Sequence, residues 1–373
     1  MNPSPDAAHH QTIVIGGGQA GLAVGHLLKQ RGLDLVILDA EHATGDQWRR
    51  RWNTLRLFTP ARHDGLPDLP FPAAGGSFPG RDEVAAYLTA YAERFDLPVV
   101  HDTRVTGVAR QGAIYQVATS RGAYTADAVV VATGACNLPS VPELAAGLDP
   151  RIRQIHSHSY VSVDDLPNGS VLVVGYGTSG AEIAEELAAS GRDVAIGGTP
   201  TPNIPDPLLK VAGGAWWLVL NHVLSLKTPI GRKVAPRVAA HGAPLIRVSP
   251  KRVRAAGVHE VGRVVGVKNG LPQLADGSTV QADVVVWCTG YHGDFGWIEV
   301  DGLTTDSKGY VEAPFGFPAG VDGLAFLGMP FQSKLASPLL GGVGGDARMV
   351  ADRIAEFVAA FGSRPPRQTT SAP

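Results

Sequence analysis

Two glycine-rich runs, GGGQAG at Gly16–Gly21 and GYGTSG at Gly175–Gly180, carry the residue types that can grip a phosphate without using charge. In the spacing G-x-G-x-x-G the first glycine permits a tight turn. The second lets backbone N–H groups approach a pyrophosphate, and the third lets helix and strand pack closely. That chemistry is dinucleotide binding, with Gly16, Gly18, Gln19, Ala20 and Gly21 in the first run and Gly175, Gly177, Thr178, Ser179 and Gly180 in the second. The glycines correspond at a constant offset of 159 residues (Gly16 to Gly175).

The elements around the two runs repeat as well. A strand at Thr12–Ile15 precedes the first, and a helix and the strand LVILDA come after it. The strand VLVVG precedes the second, and an Ala- and Glu-rich helix and the strand DVAIGG come after. Further on, TADAVVVATGA and QADVVVWCTGY superpose at an offset of 156 residues (Asp127 to Asp283), so that Thr133–Gly134 match Thr289–Gly290. Near-continuous apolar runs of this kind predict buried parallel strands, whose C-terminal ends are where such sheets bind ligands. The duplication predicts two homologous nucleotide-binding lobes.

The strand end downstream of each loop separates them. Asp39 lies 23 residues after Gly16, close to the roughly 20 expected of an acid that accepts hydrogen bonds from ribose hydroxyls and repels a 2′-phosphate. The first lobe therefore suits FAD or NAD. At the equivalent place in the second lobe stands Gly198, then Thr199, with neither an acid to repel a phosphate nor an arginine to receive one. Arg192 is at the wrong end of its strand, and Lys210, Lys227, Arg232 and Lys233 lie further on. The choice between NADPH and NADH stays open from this site.

Composition narrows the field. The chain has 373 residues, 44% of them hydrophobic, enough for about two full domains. Lys+Arg 32 against Asp+Glu 34 provides no global basic bias toward nucleic acid. Only Cys136 and Cys288 are present, so a disulfide scaffold, a thiolate metal site and a CxxC redox pair are excluded. His156 and His158 lack clustered co-ligands, so no metal is expected. The opening MNPSPDAAHHQ has neither the basic nor the apolar region of a signal peptide, which points to a cytoplasmic protein. Leu208–Leu226 has a spanning length of apolar character, but Lys210, Asn221, His222 and two glycines interrupt it; a buried or substrate-facing helix fits better than stable membrane insertion. Both ends, MNPSPDAAHH and SRPPRQTTSAP, are expected to be disordered.

Taken in order, GGGQAG, GDQWRRRW, LRLFTP, VVVATG, HSHSY, GYGTSG, VVWCTGY and PLLGGVGGDA resemble the class B flavoprotein monooxygenases, in particular the flavin-containing monooxygenases. The resemblance runs from Thr12 to about Phe361. Of the group's FxGxxxHxxxY signature, His156 and Tyr160 fit, while Pro150 and Ile152 stand where Phe and Gly are expected; Tyr160 leans against the Baeyer–Villiger subclass, which carries Trp there. The resemblance implies that Gly16, Gly18, Gly21, Gln19 and Asp39 hold the ADP part of FAD. Gln47 and Trp48 would lie along its flavin side, and Gly342, in the C-terminal glycine-rich turn, would bring a helix N-terminus near the ring. Pro60 falls close to an asparagine of eukaryotic relatives that helps stabilise the oxygenated flavin.

The fold implied is α/β, with two Rossmann-like dinucleotide-binding domains in a glutathione-reductase-like arrangement. The FAD domain is expected to be discontinuous, residues 1–153 and 282–373. An NAD(P)H domain over 154–281 is inserted between, itself bearing a helical insertion at about 206–250 that covers the cleft with Trp216 and Trp217. The activity implied is a monooxygenase driven by NADPH or NADH that passes one oxygen of O2 from a 4a-hydroperoxyflavin to a soft nitrogen or sulfur of a small molecule. The rivals are a flavoprotein reductase serving an external acceptor and a non-catalytic flavin or nucleotide sensor. A homodimer is possible, and no catalytic side chain is identified.

Overall fold

A computed structural model describes residues 7–136, 138–203, 214, 217–241 and 244–362. Two sheets organise it. The first has eight strands, seven of them in the order Ile298–Glu299, Val105–Gln111, Ile114–Thr119, Gly122–Val131, Ala8–Ile15, Leu35–Leu38 and Val99–Val100. The eighth, Leu324–Phe326, pairs with the end of Gly122–Val131. The second sheet is wholly parallel, in the order His259–Val261, Val194–Gly197, Val171–Val174, Val284–Trp287 and Arg153–His156.

The apolar tetrads are interior strands of these sheets. LVIL, VLVV and VVVW are buried at every position, as strands covered on both faces must be. The helix after the first loop, Gln19–Gln30, is buried continuously from Ala20 to Leu28. Its counterpart, Thr178–Ala189, buries Gly180, Ile183, Ala184 and Leu187, the single stripe of a surface helix. Beside that stripe Glu182 and Glu185, both largely covered, pair with Arg247 at 3.4 Å and Arg252 at 2.9 Å.

Two expectations need correction. Val284–Trp287 does not return to the first sheet at residue 282; it pairs with Val171–Val174 and Arg153–His156 at the centre of the second. The duplication itself explains this. Each lobe sets its ATG or CTG strand beside its own loop strand, Gly122–Val131 beside Ala8–Ile15 and Val284–Trp287 beside Val171–Val174. The first strand to rejoin the first sheet is Ile298–Glu299. Second, Ala8–His10 are ordered strand, because Gly122–Val131 is long enough to pair with them at Tyr124–Ala126. Met1–Asp6 and the tail from 363 lie outside the described residues, as does Trp216.

The described part of the expected insertion contains the helix Pro229–His241 and a single wide turn at Val219–Val223. It is tied to the C-terminal region by backbone hydrogen bonds, Leu226 to Ser333 at 2.8 Å and Leu335 to Leu224 at 2.9 Å. Trp217 stacks on His63, with ring centroids 5.0 Å apart. No helix among the described residues is long and apolar enough to cross a membrane.

Candidate functional site

The two glycine loops have the same geometry. Gly16 and Gly175 take φ of +107° and +112°, values that favour glycine. A Cβ on Gly16 would lie 2.7 Å from the Ala132 carbonyl oxygen, and one on Gly175 would lie 2.3 Å from that of Cys288. On Gly21 and Gly180 it would fall 1.8 Å and 1.9 Å from the carbonyl oxygens of Gly16 and Gly175. The third glycine therefore closes the turn against the first. Each loop opens the helix after it, Gly18 and Gly177 being the cap residues, so free N–H groups point out of the turn.

Beside the first loop runs a continuous cleft of two cavities, about 390 Å³ and about 270 Å³, sharing Gly18, Gln47, Trp48, Ala132, Thr133 and Cys136 as walls. The larger reaches Asp39, Glu41 and Arg104. The smaller is more apolar, walled by Leu57, Phe58, Leu339, Leu340 and Val343 together with Ala20 and Gly134. Gln19 braces its floor, accepting from Trp48 Nε1 at 3.2 Å and donating to the Pro338 carbonyl at 3.3 Å. A polar end beside an acid and an apolar end beside an indole fit the two halves of FAD.

Asp39 is buried at the end of its strand, and burial pushes its carboxyl up, partly offset by hydrogen bonds from the Gly17 and Glu41 amides. Its Oδ2 lies 2.5 Å from where a Gly17 Cβ would be, so only glycine at 17 lets the acid stand against the loop. A diol donating to this carboxylate would supply the partners that burial removes.

The second loop reverses that pair. Tyr176 occupies the place of Gly17 and Gly198 that of Asp39. The ring of Tyr176 is buried, and its hydroxyl donates to Glu260 at 2.6 Å. Thr199 is exposed beside it. Thr178 and Ser179 begin the helix after the loop.

Between the lobes, Thr289 donates to the Ser140 carbonyl and Gly290 accepts from the Ser140 amide at 2.9 Å. His156 is a packed, hydrogen-bonded histidine: its Nδ1 accepts from the His158 amide at 3.0 Å, so its proton sits on Nε2, which donates to the Gly290 carbonyl at 3.1 Å. Burial lowers its pKa. Tyr160 is fully buried in the core of the second lobe.

The C-terminal glycine turn meets the cleft differently from expectation. Gly342 faces the Ala336 carbonyl, 1.9 Å from its notional Cβ, and the cavity wall here is Pro338–Leu340 with Val343. Val343 starts a helix running to Gly362. Asp346 in its first turn is buried, accepts from Ser333 and lies 3.9 Å from Lys334 Nζ. That cation offsets the acid and leaves the helix N-terminus positive. Arg62, His63, Asp64 and Lys334 do not wall either cavity.

Two further cleft residues are not singled out by their sequence surroundings. Arg51 walls the smaller cavity and donates to the Tyr291 hydroxyl at 3.3 Å, joining the GDQW segment to the strand end of the other lobe. Cys136 walls both cavities. Arg51 is hidden in a run of three arginines and Cys136 lies just past a strand end, so the run of bases and the adjacency to ATG are their only signals.

The sequence profile of the pyridine nucleotide-disulphide oxidoreductase family matches residues 13–203, from the first loop strand through the second loop. The chain belongs to this family, as a flavin-dependent monooxygenase of the flavin-containing type. An oxidoreductase of Geobacillus kaustophilus named CzcO-like is 34% identical over 92% of this chain and 97% of its own. The indole-3-pyruvate monooxygenase YUCCA4 of Oryza sativa is 28% identical over 80% of this chain and 78% of its own. A solved flavin-containing monooxygenase from Stenotrophomonas maltophilia, 29% identical, superposes with a TM-score of 0.76 over 95% of this chain and all of its own. The oxidoreductase is thus built as two Rossmann-type lobes, and enzymes of this type work with FAD and NADPH. The family's disulphide chemistry has no CxxC to run on here.

Proposed function

We propose that the chain is an NADPH-driven monooxygenase that oxygenates a soft nitrogen or sulfur centre of a small molecule, with FAD in the first lobe and the nicotinamide dinucleotide in the second. The observation that carries this is the reversed pair, Gly17 with Asp39 in one loop and Tyr176 with Gly198 in the other. One loop keeps an acid for a free ribose, and its twin excludes it. The lobes divide, on this reading, after about residue 152, with the return to the first lobe after Trp287.

When bound, FAD supplies the electron relay and the oxygen activation. The protein's share is binding, orientation and exclusion of water. Gly16 and Gly21 shape the turn, so that Gly18 and the first helical residues would present N–H groups to the pyrophosphate, and Asp39 would accept from the ribose. Gln47, Trp48, Thr133 and Gly134 wall the cleft toward the ring. The N-terminus at Val343 offers positive potential where reduction adds negative charge. In the second lobe Gly175, Gly177, Thr178, Ser179 and Gly180 would form the loop for the other pyrophosphate, and Thr289–Gly290 would mark the crossing between the lobes.

Asp39→Asn should weaken FAD binding about 10- to 100-fold, the range for charge-assisted hydrogen bonds, in a fluorescence titration of deflavinated protein. Trp217→Ala, which removes the stack on His63, should raise KM for the oxygenated substrate several-fold and leave the nicotinamide KM unchanged. Equal shifts in both would place the insertion outside substrate access. The reaction itself is tested by incubating the flavin-loaded enzyme with NADPH, O2 and a panel of thioethers and tertiary amines. Oxygenated product should appear in proportion to NADPH consumed. Release of all the reducing equivalents as peroxide with every nucleophile would instead favour a reductase.

A further inference from the structure

The second lobe reads its nucleotide without a side chain at the usual place. Gly198 has φ of +131°, a region that strains any residue carrying a Cβ. A Cβ there would also crowd the Tyr176 amide at 3.3 Å. An arginine at this position is therefore incompatible with the backbone as folded, and a group that recognises a 2′-phosphate must come from another element.

The helix Pro250–Ala255 supplies one, through the strand that follows it. His259–Val261 pairs in parallel with Ala195–Gly197, setting Glu260 opposite Ile196, two residues before Gly198. Glu260 Oε1 accepts from the Tyr176 hydroxyl at 2.6 Å, and its Oε2 accepts from Arg254 Nη1 at 2.8 Å. Tyr176 is the second residue of the glycine loop, so the chain of contacts runs from the loop through Glu260 to the guanidinium. The Arg254 side chain is 56% exposed. A guanidinium has five N–H donors in a planar fork that matches phosphate, and the bond to Glu260 leaves others facing solvent.

Two other arginines of this lobe are held away from Tyr176. Arg192 spends its guanidinium on the carbonyls of Val163, Leu166 and Pro167 at the far end of its strand. Arg252 is paired with Glu185 at 2.9 Å.

We propose that Arg254, tethered through Glu260 to Tyr176, receives the 2′-phosphate of NADPH and decides the preference of this enzyme for NADPH over NADH. Glu260 plays two parts. It holds the guanidinium beside the loop, and its own negative charge opposes the phosphate, so the preference is moderate. Burial pushes Glu260 up, but the Tyr176 and Arg254 hydrogen bonds outweigh it and hold the carboxyl below its ordinary value, hence ionised.

The inference rests on a nicotinamide dinucleotide occupying the second lobe, and calorimetry separates the two ideas. The probes are adenosine 2′,5′-bisphosphate and 5′-AMP, which differ only in the 2′-phosphate, titrated into the flavin-loaded enzyme. Arg254→Ala should weaken the bisphosphate about 10-fold or more and leave 5′-AMP within about twofold. Glu260→Gln should tighten the bisphosphate selectively by several-fold, because the tether persists and the opposing charge is gone. Equal weakening of both probes by Arg254→Ala, or no change in either, would overturn the assignment of Arg254 while leaving the lobe assignment standing. Failure of the unaltered enzyme to bind either probe would overturn both.

Discussion

Gly21→Ala should yield a protein that loses its flavin on purification. The new methyl would sit 1.8 Å from the Gly16 carbonyl oxygen, about half a normal contact distance. Neither partner can yield cheaply. Gly16 is fixed by its positive φ and by the Ala132 carbonyl 2.7 Å from its own notional Cβ. The turn must open, and its N–H groups leave the positions that face a pyrophosphate. Overpacking strain of about 1–3 kcal/mol corresponds to roughly 5- to 150-fold weaker binding. The measurement is the ratio of flavin absorbance to protein. Gly180→Ala makes the same collision, 1.9 Å from the Gly175 oxygen, yet should keep the flavin and lose nicotinamide binding. Flavin loss from both variants alike would mean that the lobes do not divide the ligands.

Asp64→Asn should stabilise the enzyme, and the gain should grow with pH. Asp64 is wholly buried, accepts from the Thr59 hydroxyl at 2.5 Å through Oδ1, and has no hydrogen-bond partner on Oδ2 among the described residues. Burial pushes its carboxyl up to about 7, with Thr59 drawing it back in part. The folded value therefore lies above the unfolded one of 3.8. The native state keeps a proton that the unfolded chain releases, so stability from this group is full below the unfolded pKa and is lost as pH rises through about 7. Above that, the ionised acid costs up to about 4 kcal/mol. Asparagine still accepts from Thr59 and never ionises. The Tm gap over the unaltered enzyme should open between about pH 4 and pH 7 to several degrees and level off above that. A gap independent of pH would show that Asp64 is not buried as a titrating acid.

The loops are legible in the sequence because their glycines have no substitute. The offset of 159 residues between them reappears as near-equal φ values and near-equal close approaches. Asp39 is visible from its distance to Gly16, since one strand–helix–strand unit sets that spacing. The boundary between the lobes is harder to read. The run Val284–Trp287 repeats Ala128–Val131, and a return to the first lobe at residue 282 puts it in the wrong sheet. Sheet partners are long-range, and only the full repeat announces them. Glu260 and Arg254 carry no motif at all. They meet Tyr176 because a parallel strand brings residue 260 beside the loop, and no local pattern encodes that. Asp64 is likewise an acid among turn residues until packing removes its water.

The division of labour between the two loops is tested most directly by anaerobic stopped-flow reduction of the flavin-loaded enzyme with NADPH, run beside the Gly180→Ala variant. The oxidised-flavin absorbance of the unaltered enzyme should bleach in a phase whose rate saturates with NADPH. The variant, carrying the same flavin, should need far more NADPH or stay oxidised. Identical saturation curves for the two proteins would contradict a nicotinamide site at the second loop.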